Sequence, residues 1–204
     1  MKLYGNPDSG HAFKVRFFMR ASGIEHDYER VDIFAPLESR SEDFRRHARF
    51  GEVPTLVDDG RAYVQSDAIL VHLATKLGAW GVEDPGLKSQ CLEWLFWEAN
   101  KIGMCLPQLR GHERFDSMQL SSGAYQWLRG RYDHDIAVLE RAFADKRHYI
   151  LGEQASIADF ALCGYLVLVD EAKLAVPKYV AAWLERMRRL PGWQHPYDMM
   201  SDRA

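Results

Sequence analysis

The chain has 204 residues and a formal net charge of −3, and 47% of its residues are hydrophobic, which is the balance of an ordinary soluble globular protein. That length accommodates one domain or two small ones and can bury a core without a disulfide or metal staple. Acidic and basic residues nearly balance on both sides of Leu77, which argues against non-specific binding to the phosphate backbone of a nucleic acid. No apolar run approaches the roughly 20 residues that cross a bilayer, so no membrane partner is expected.

The first third of the chain alternates strand and helix signals. The predicted elements are a strand at 2–4, a helix at 11–22, a strand at 27–33, a helix at 41–49, a hairpin around 58–61 and a helix at 66–77. The hairpin is indicated by Asp59-Gly60 between two apolar runs. A helix between the first two strands predicts a parallel pair, and the hairpin predicts an antiparallel edge.

From about Pro85 onward the pattern is helical. The segment after Pro85 has apolar residues at helical spacing on two different faces. A helix that is apolar on two faces is expected to pack between neighbouring elements. The first stripe is Leu92, Phe96, Ala99, Gly103 and Leu106; the second is Trp94, Trp97 and Met104. Ser156-Ile157-Ala158-Asp159 has the pattern of a capping box that opens a helix over 160–169. Pro177 suits the first turn of a last helix, which ends before Pro191.

The cysteines indicate the redox compartment. Cys91, Cys105 and Cys163 are an odd number without a C-x-x-C pair, which predicts reduced thiols and a cytoplasmic location. Each is interpreted as a small core residue. The eight histidines show no metal-ligand spacing with the cysteines, so no metal is expected.

Three polar features indicate a binding site. Ser9 lies in a turn just before a helix, where a serine is usually an N-cap. Pro54 begins a strand in Glu52-Val53-Pro54-Thr55, and an X-Pro bond is cis in only about 5% of cases. Gln65-Ser66 begins the next helix. That pair is either a plain cap or an anion site formed by N–H groups, a hydroxyl and the helix dipole.

Together these residues resemble the cytosolic glutathione S-transferase family over nearly the whole chain. The resemblance rests on Val53-Pro54, the D-G hairpin, Gln65-Ser66-x-Ala68-Ile69, Trp94 to Asn100, Ser156-x-x-Asp159 and the ending Leu190-Pro191-Gly192-Trp193. It implies α/β and all-α parts: a thioredoxin-like glutathione-binding domain with a mixed four-stranded sheet over 1–77, a linker over 78–88 and an all-helical domain over 89–204. It also implies a homodimer, and the position of Ser9 looks like that of a bacterial serine-type member.

The resemblance implies a role for each polar feature. Val53 would pair its backbone N–H and C=O with the cysteinyl part of glutathione, like an added strand, next to a cis peptide bond at Pro54. Gln65 and Ser66 would hold the γ-glutamyl end. Ser9 would donate its hydroxyl to the thiol as the catalytic residue.

Five positions refine this expectation. Tyr4 lies one place before the catalytic tyrosine of the tyrosine-type classes and is assigned to the sheet, and Gly10 stands where the cysteine-type class has its cysteine. Glu52 replaces a Lys or Gln of many relatives and would repel the glycine carboxylate of glutathione unless it points away. His11 is either a second donor or helix surface. Phe50 is either an aromatic key that enters a partner subunit or a residue packed within its own domain.

The implied function is detoxifying conjugation of the glutathione thiolate to an electrophilic apolar substrate, with glutathione as a substrate and no metal. The candidates for the electrophile site are Asn100, Met104, His112 and Phe115, with core packing as the alternative for Met104. Two other functions stay open. One is a glutathione-dependent disulfide reductase or peroxidase on the same site, and the other is a non-catalytic glutathione-binding or regulatory protein.

Overall fold

A four-stranded mixed sheet organises the N-terminal part of the chain. The computed structural model describes residues 1–201. The strands are β1 (Lys2–Gly5), β2 (Asp27–Arg30), β3 (Thr55–Asp58) and β4 (Arg61–Val64). Their spatial order is β2-β1-β3-β4, with β1 and β2 parallel and both β1–β3 and β3–β4 antiparallel. The predicted parallel pair and edge hairpin are therefore confirmed.

Three helices accompany this sheet: α1 (Gly10–Ala21), α2 (Glu42–His47) and α3 (Ser66–Leu77). The crossover through α1 makes the β1–β2 pair parallel. Helix α3 ends at Gly78, whose φ of +64° is the left-handed conformation that glycine adopts without steric cost. The hairpin turn likewise has positive φ at Asp59 and Gly60, which matches the twist of the two strands.

The rest of the chain is built from helices. They are α4 (Pro85–Asn100), α5 (Ile102–Arg114), α6 (Ser122–Ala142), α7 (Ile157–Leu166), α8 (Lys178–Met187) and α9 (Pro196–Met199). Every residue of α7 is buried. No helix within residues 1–201 combines the length and apolar character that a membrane span requires.

The carboxylate of Asp159 holds the start of α7 in place. It accepts hydrogen bonds from the backbone N–H groups of Ser156 at 2.9 Å and Ile150 at 2.8 Å, and from the indole Nε1 of Trp183 at 2.9 Å. Burial raises the pKa of Asp159, and these donors oppose the rise. The S-x-x-D pattern thus marks a helix start, as predicted. The carboxylate of Asp159 also binds the preceding loop, through Ile150, and α8, through Trp183.

Two expectations about the helices are wrong. The continuous stripe through α4 and α5 fails, because Lys101 breaks the segment with φ −121° and ψ −100° and Phe96 is 73% exposed. Once the helical register is interrupted, residues on the two sides of Lys101 no longer share one face. The helix that follows Pro177 is not the last, because α9 begins at Pro196.

By internal contacts, residues 1–78 and 190–201 form one compact unit and residues 79–189 the other. The C-terminal segment packs on α1: the rings of Phe13 and Phe17 lie edge-on to Trp193 at 5.6 and 5.2 Å, and Arg16 donates to the carbonyl of Met199 at 2.6 Å. The family resemblance instead implies that this segment belongs to the helical domain at 89–204. Helix α4 also begins at Pro85, inside the segment expected to be a linker.

Candidate functional site

The sheet topology brings the three polar features to one edge. Because β3 is antiparallel to both β1 and β4, the start of β3 lies beside the C-terminal ends of the other two strands. Ser9 follows β1, Val53-Pro54 precedes β3, and Gln65-Ser66 follows β4. These segments are far apart in sequence and share an edge only through this pairing.

Ser9 is the N-cap of α1, as its position predicts. Its hydroxyl oxygen accepts the backbone N–H of Ala12 at 3.1 Å, and its own N–H donates to the carbonyl of Asn6 at 3.0 Å. The residue is 5% exposed. Within residues 1–201 the Ser9 hydroxyl donates no hydrogen bond, so the cap uses an oxygen lone pair and leaves the O–H proton available for another acceptor.

Val53 lies two residues before β3, outside the paired part of the sheet. The Val53–Pro54 peptide bond is cis, as the family resemblance implies. In the described part of the chain neither the N–H nor the C=O of Val53 has a hydrogen-bond partner. The residues around it are tied down, since Gly51 N–H donates to Ala48 at 2.7 Å and Thr55 Oγ1 donates to the Glu52 carbonyl at 3.0 Å. This pair of groups is therefore held in place for an extended ligand.

Arg40 supports this edge, and the sequence did not single it out. Its guanidinium donates to the carbonyls of Gly51 at 2.8 Å, Ile33 at 3.0 Å and Ala35 at 3.2 Å. It thereby joins the loop after β2 to the segment that leads into Val53. An arginine in a polar stretch of sequence is normally predicted to be solvent-exposed. The three carbonyl oxygens surround the Arg40 guanidinium only in the folded chain.

The start of α3 is an uncapped helix end. Gln65 is the N-cap residue, with φ +69°, and its side chain makes no cap hydrogen bond. Ser66 is the first helical residue, and its hydroxyl makes no hydrogen bond within residues 1–201. The plain-cap interpretation of this pair is therefore wrong. The orphan N–H groups of the first turn and the helix dipole favour an anion here.

A buried ion pair connects the helices that begin at Ser9 and at Gln65-Ser66. The ammonium of Lys14, in α1, lies 2.7 Å from a carboxylate oxygen of Asp67, in α3, and the Lys14 side chain is 1% exposed. A lysine is almost never fully buried unless it is paired. No sequence spacing relates these two residues, so sequence reasoning missed the pair.

Tyr4 and the three cysteines are poor candidates for thiol chemistry. Tyr4 is fully buried in β1 and donates its hydroxyl to Asp43, and burial is the main cause that raises its pKa. All three cysteines are free and buried. Burial raises the pKa of Cys91 and raises that of Cys105 to about 12, so these thiols are core residues, as predicted.

Two further predicted residues flank this edge. His11 lies in the first turn of α1 and is half-buried. Phe50, three residues before Val53, is 57% exposed, with the guanidinium of Arg49 at 5.1 Å from its ring centre. The expectation that Phe50 packs within its own domain is therefore wrong, because the surrounding fold leaves most of its ring uncovered.

The four candidates for the electrophile site all belong to residues 79–189. Asn100 ends α4 and is exposed. Met104 is half-buried, and its sulfur accepts a hydrogen bond from Gln108 at 3.3 Å. His112 lies eight residues further along α5, about 12 Å away along the helix axis, and Phe115 follows at its end. The helix thus separates Asn100 and Met104, near its start, from His112 and Phe115, near its end. Among residues 1–201 no cluster of three or more His, Cys, Asp or Glu side chains could hold a metal ion.

Comparison with known proteins identifies the class of this fold. Residues 8–76 match the model of the glutathione S-transferase N-terminal domain, and residues 110–197 match that of the C-terminal domain. The structure of a glutathione S-transferase from Pseudomonas fluorescens superposes with a TM-score of 0.82 at 27% identity, covering 92% of this chain and 94% of that one. The mixed sheet is therefore a thioredoxin-like domain, followed by the helical domain of that fold.

Characterised relatives have different chemistries. Dichloromethane dehalogenase of Methylophilus leisingeri is 26% identical over 96% of this chain and 80% of its own length. The disulfide-bond oxidoreductase YfcG of Escherichia coli is 27% identical over 93% of this chain and 90% of its own length. The chain belongs to the glutathione S-transferase family.

Proposed function

We propose that this protein is a glutathione transferase that joins the thiolate of glutathione to an electrophilic carbon of an apolar substrate. The observation that carries the proposal is the unpaired backbone N–H and C=O of Val53. They lie at the same sheet edge as Ser9 and the uncapped start of α3. A short peptide that bears a carboxylate and a thiol matches these three features in chemistry.

Each part of glutathione has a proposed partner. The cysteinyl backbone pairs with Val53 as an added strand next to Pro54. The γ-glutamyl carboxylate meets the hydroxyl of Ser66 and the N–H groups of the first turn of α3, where the helix dipole is positive. The side chains of Gln65 and Glu52 flank that end. Arg40 and the Lys14–Asp67 pair act as positioning groups, because they tie the segments of the site together.

Ser9 would supply the chemistry at the sulfur. A thiol with a pKa near 8.5 is only a few per cent thiolate at neutral pH. The Ser9 hydroxyl donates to the sulfur and the N-terminus of α1 adds a favourable field, so both stabilise the thiolate. The thiol proton goes to solvent, the sulfur electron pair forms the new S–C bond, and the leaving group departs with the electrons of the broken bond. His11, in the same turn, is proposed as a second donor.

The remaining features of the proposal extend the family assignment. The electrophile site draws on Asn100, Met104, His112 and Phe115. The protein acts as a cytoplasmic homodimer in which the exposed Phe50 enters the partner subunit. With a serine at the thiol and all three cysteines buried, the chain fits a serine-type class.

Binding and turnover test this function. Glutathione should bind in calorimetry, and the complex should absorb as a thiolate well below the pKa of the free thiol. An aryl halide should then give the thioether product. Binding without thiolate formation or turnover with any of a panel of electrophiles would reject the transferase in favour of a glutathione-binding protein.

A second function, glutathione-dependent disulfide reduction, is favoured by the chemistry named for the Escherichia coli relative. Because every cysteine of this chain is buried, the electrons would come from two glutathione molecules. Their thiols are oxidised to one glutathione disulfide while the substrate disulfide is reduced to two thiols. Activity with a model disulfide and none with aryl halides would select this reaction.

A further inference from the structure

We propose that Tyr197, in the C-terminal segment of residues 190–201, is a positioning residue for the thiolate chemistry at Ser9. It acts through Asp8, the residue directly before Ser9, whose carboxylate it holds away from the glutathione sulfur. The inference rests on the proposed function and deepens it. It names a group outside the three polar features that controls how readily the bound thiol ionises.

The C-terminal segment runs along α1 from the end of that helix back to its start. At Gly192, where φ is +74°, an added Cβ would lie 2.8 Å from the Cβ of Arg20, near the end of α1. Trp193 then packs on the middle of the helix. Further along, the methyl group of Met200 lies where a Cβ on Gly5 would be, at 2.8 Å. The segment therefore reaches the loop between β1 and α1, which carries Ser9.

The support of Tyr197 is fixed on both sides. Pro196, directly before it, is buried, and Met199 and Met200, just after it, are 1% and 0% exposed. Arg16 of α1 donates to the carbonyl of Met199 at 2.6 Å. Because buried neighbours and a backbone contact hold this short helix, the tyrosine ring has a defined place beside the loop.

The backbone and the carboxylate of Asp8 have different partners. The Asn6 side chain donates to the carbonyl of Val31 at 2.7 Å and accepts the N–H of Asp8 at 2.8 Å, which fixes the loop backbone. The Asp8 carboxylate instead accepts the hydroxyl proton of Tyr197 at 3.2 Å. Loss of that hydroxyl should therefore change the direction of the carboxylate and leave the backbone before Ser9 in place.

The direction of this carboxylate matters because a nearby negative charge disfavours a thiolate. Neighbouring Cα atoms are about 3.8 Å apart, and the Ser9 hydroxyl is proposed to face the sulfur, so a carboxylate that loses Tyr197 can approach the thiolate. The other titratable groups around the loop are His11, in the first turn of α1, and His195, whose ring centre lies 5.5 Å from that of Tyr197. Both histidines stay unchanged in the variants of the test.

The test compares three variants with wild type. Tyr197→Phe removes the hydroxyl and keeps the ring, Asp8→Asn removes the charge, and the third variant combines the two changes. The control is Tyr132→Phe, in the other unit, where a tyrosine hydroxyl donates to the carbonyl of Ala175 at 2.8 Å. The thiolate absorbance of each glutathione complex is titrated against pH, next to steady-state kinetics, calorimetry and thermal melts.

Tyr197→Phe should raise the pKa of the bound thiol by about 0.5 to 1, the scale of a like charge near a protein surface. Below that pKa, kcat should fall by about 3- to 10-fold, because the thiolate fraction falls by the same factor. Glutathione affinity should stay within a few-fold, since the proposed contacts at Val53 and Ser66 remain. The double variant should titrate like Asp8→Asn, and Tyr132→Phe should titrate like wild type.

Three results would overturn the role of Tyr197. One is a titration of Tyr197→Phe that superimposes on wild type, with or without a lower melting temperature. Another is an equal shift when Tyr197→Phe is added to Asp8→Asn, because the effect would then bypass the carboxylate. The third is the same shift in Tyr132→Phe. A wild-type protein that binds no glutathione, or binds it without forming thiolate, would instead refute the proposed function, and the role of Tyr197 with it.

Discussion

Replacement of Ser9 by alanine separates two roles of one hydroxyl. Its oxygen caps α1 by accepting the N–H of Ala12 at 3.1 Å, and its proton is proposed to bind the glutathione thiolate. Loss of the cap should lower the free energy of unfolding by about 1 kcal/mol, which shifts the melting temperature by roughly 2–4 °C at this chain length. Loss of the hydroxyl as a hydrogen-bond donor to the thiolate should lower kcat.

The size of the catalytic effect follows from one hydrogen bond to a charged group. Such a bond contributes about 1.5–3 kcal/mol, so kcat should fall roughly 10- to 150-fold. Glutathione affinity should stay within a few-fold, because the proposed contacts at Val53 and Ser66 remain. The kcat profile should shift to higher pH, since the bound thiol ionises less readily without its donor.

Ser121→Ala is the matched control. Ser121 caps α6 by accepting the N–H of Ala124 at 3.3 Å, so its loss removes the same kind of bond from a helix of the other unit. That variant should be destabilised to a similar degree and keep wild-type turnover. The assay titrates the thiolate absorbance of the glutathione complex against pH, next to steady-state kinetics and thermal melts.

Superimposable thiolate titrations of wild type and Ser9→Ala would refute the donor role. In that case His11 or the N–H groups at the start of α1 would be the next candidates. A fall in turnover that Ser121→Ala reproduces would show that helix stability, and not the hydroxyl proton, controls the rate.

Three further predictions follow from the same geometry. Ser66→Ala should weaken glutathione binding in calorimetry by roughly 10- to 150-fold, as for one charge-assisted hydrogen bond, and should leave the melting temperature nearly unchanged because Ser66 does not cap α3; unchanged affinity would contradict the anion site. Phe50→Ala should raise the dimer dissociation constant in sedimentation, since a buried aromatic anchor is a typical interface hot spot; a wild-type monomer at micromolar concentration would contradict the dimer. Hydrogen bonds from Lys2 and Tyr4 hold the pKa of Asp43 at about 2, so its stabilising effect is complete above the ordinary carboxyl pKa of about 4. The stability difference between wild type and Asp43→Asn, from denaturant titrations, should therefore shrink as the pH falls from about 5 toward 2, and a difference independent of pH would contradict the pairing.

Local signals predicted most of the secondary structure correctly. The hairpin at Asp59-Gly60 and the helix stop at Gly78 depend on backbone conformations that few residues adopt, so their sequence signals are strong. The prediction failed at Phe96 because a spacing pattern shows which residues share a helix face but not whether a neighbouring element covers that face. The break at Lys101 is marked only by Gly103, two residues later, where a Cβ would collide with Glu98.

The candidate site was found in sequence as separate segments. Ser9, Val53-Pro54 and Gln65-Ser66 were recognisable because each stands next to a strand or helix end and because their order resembles a family. The sequence could not distinguish a cap from an open helix end at Ser66. That distinction depends on the backbone of Gln65, whose φ is +69°, and on its side chain, which makes no cap hydrogen bond.

Amino-acid order alone thus predicted most of the helices and strands, because these depend on neighbours along the chain, and a resemblance to a family singled out the residues of the proposed site. Only the tertiary structure decided which groups meet. The pairing of β3 with β1 and β4 gathers the site at one edge, and Arg40, Lys14 and Glu52 find their partners across 11, 53 and 13 residues of sequence. Contacts over such distances arise from the packing of whole elements, which no local pattern encodes.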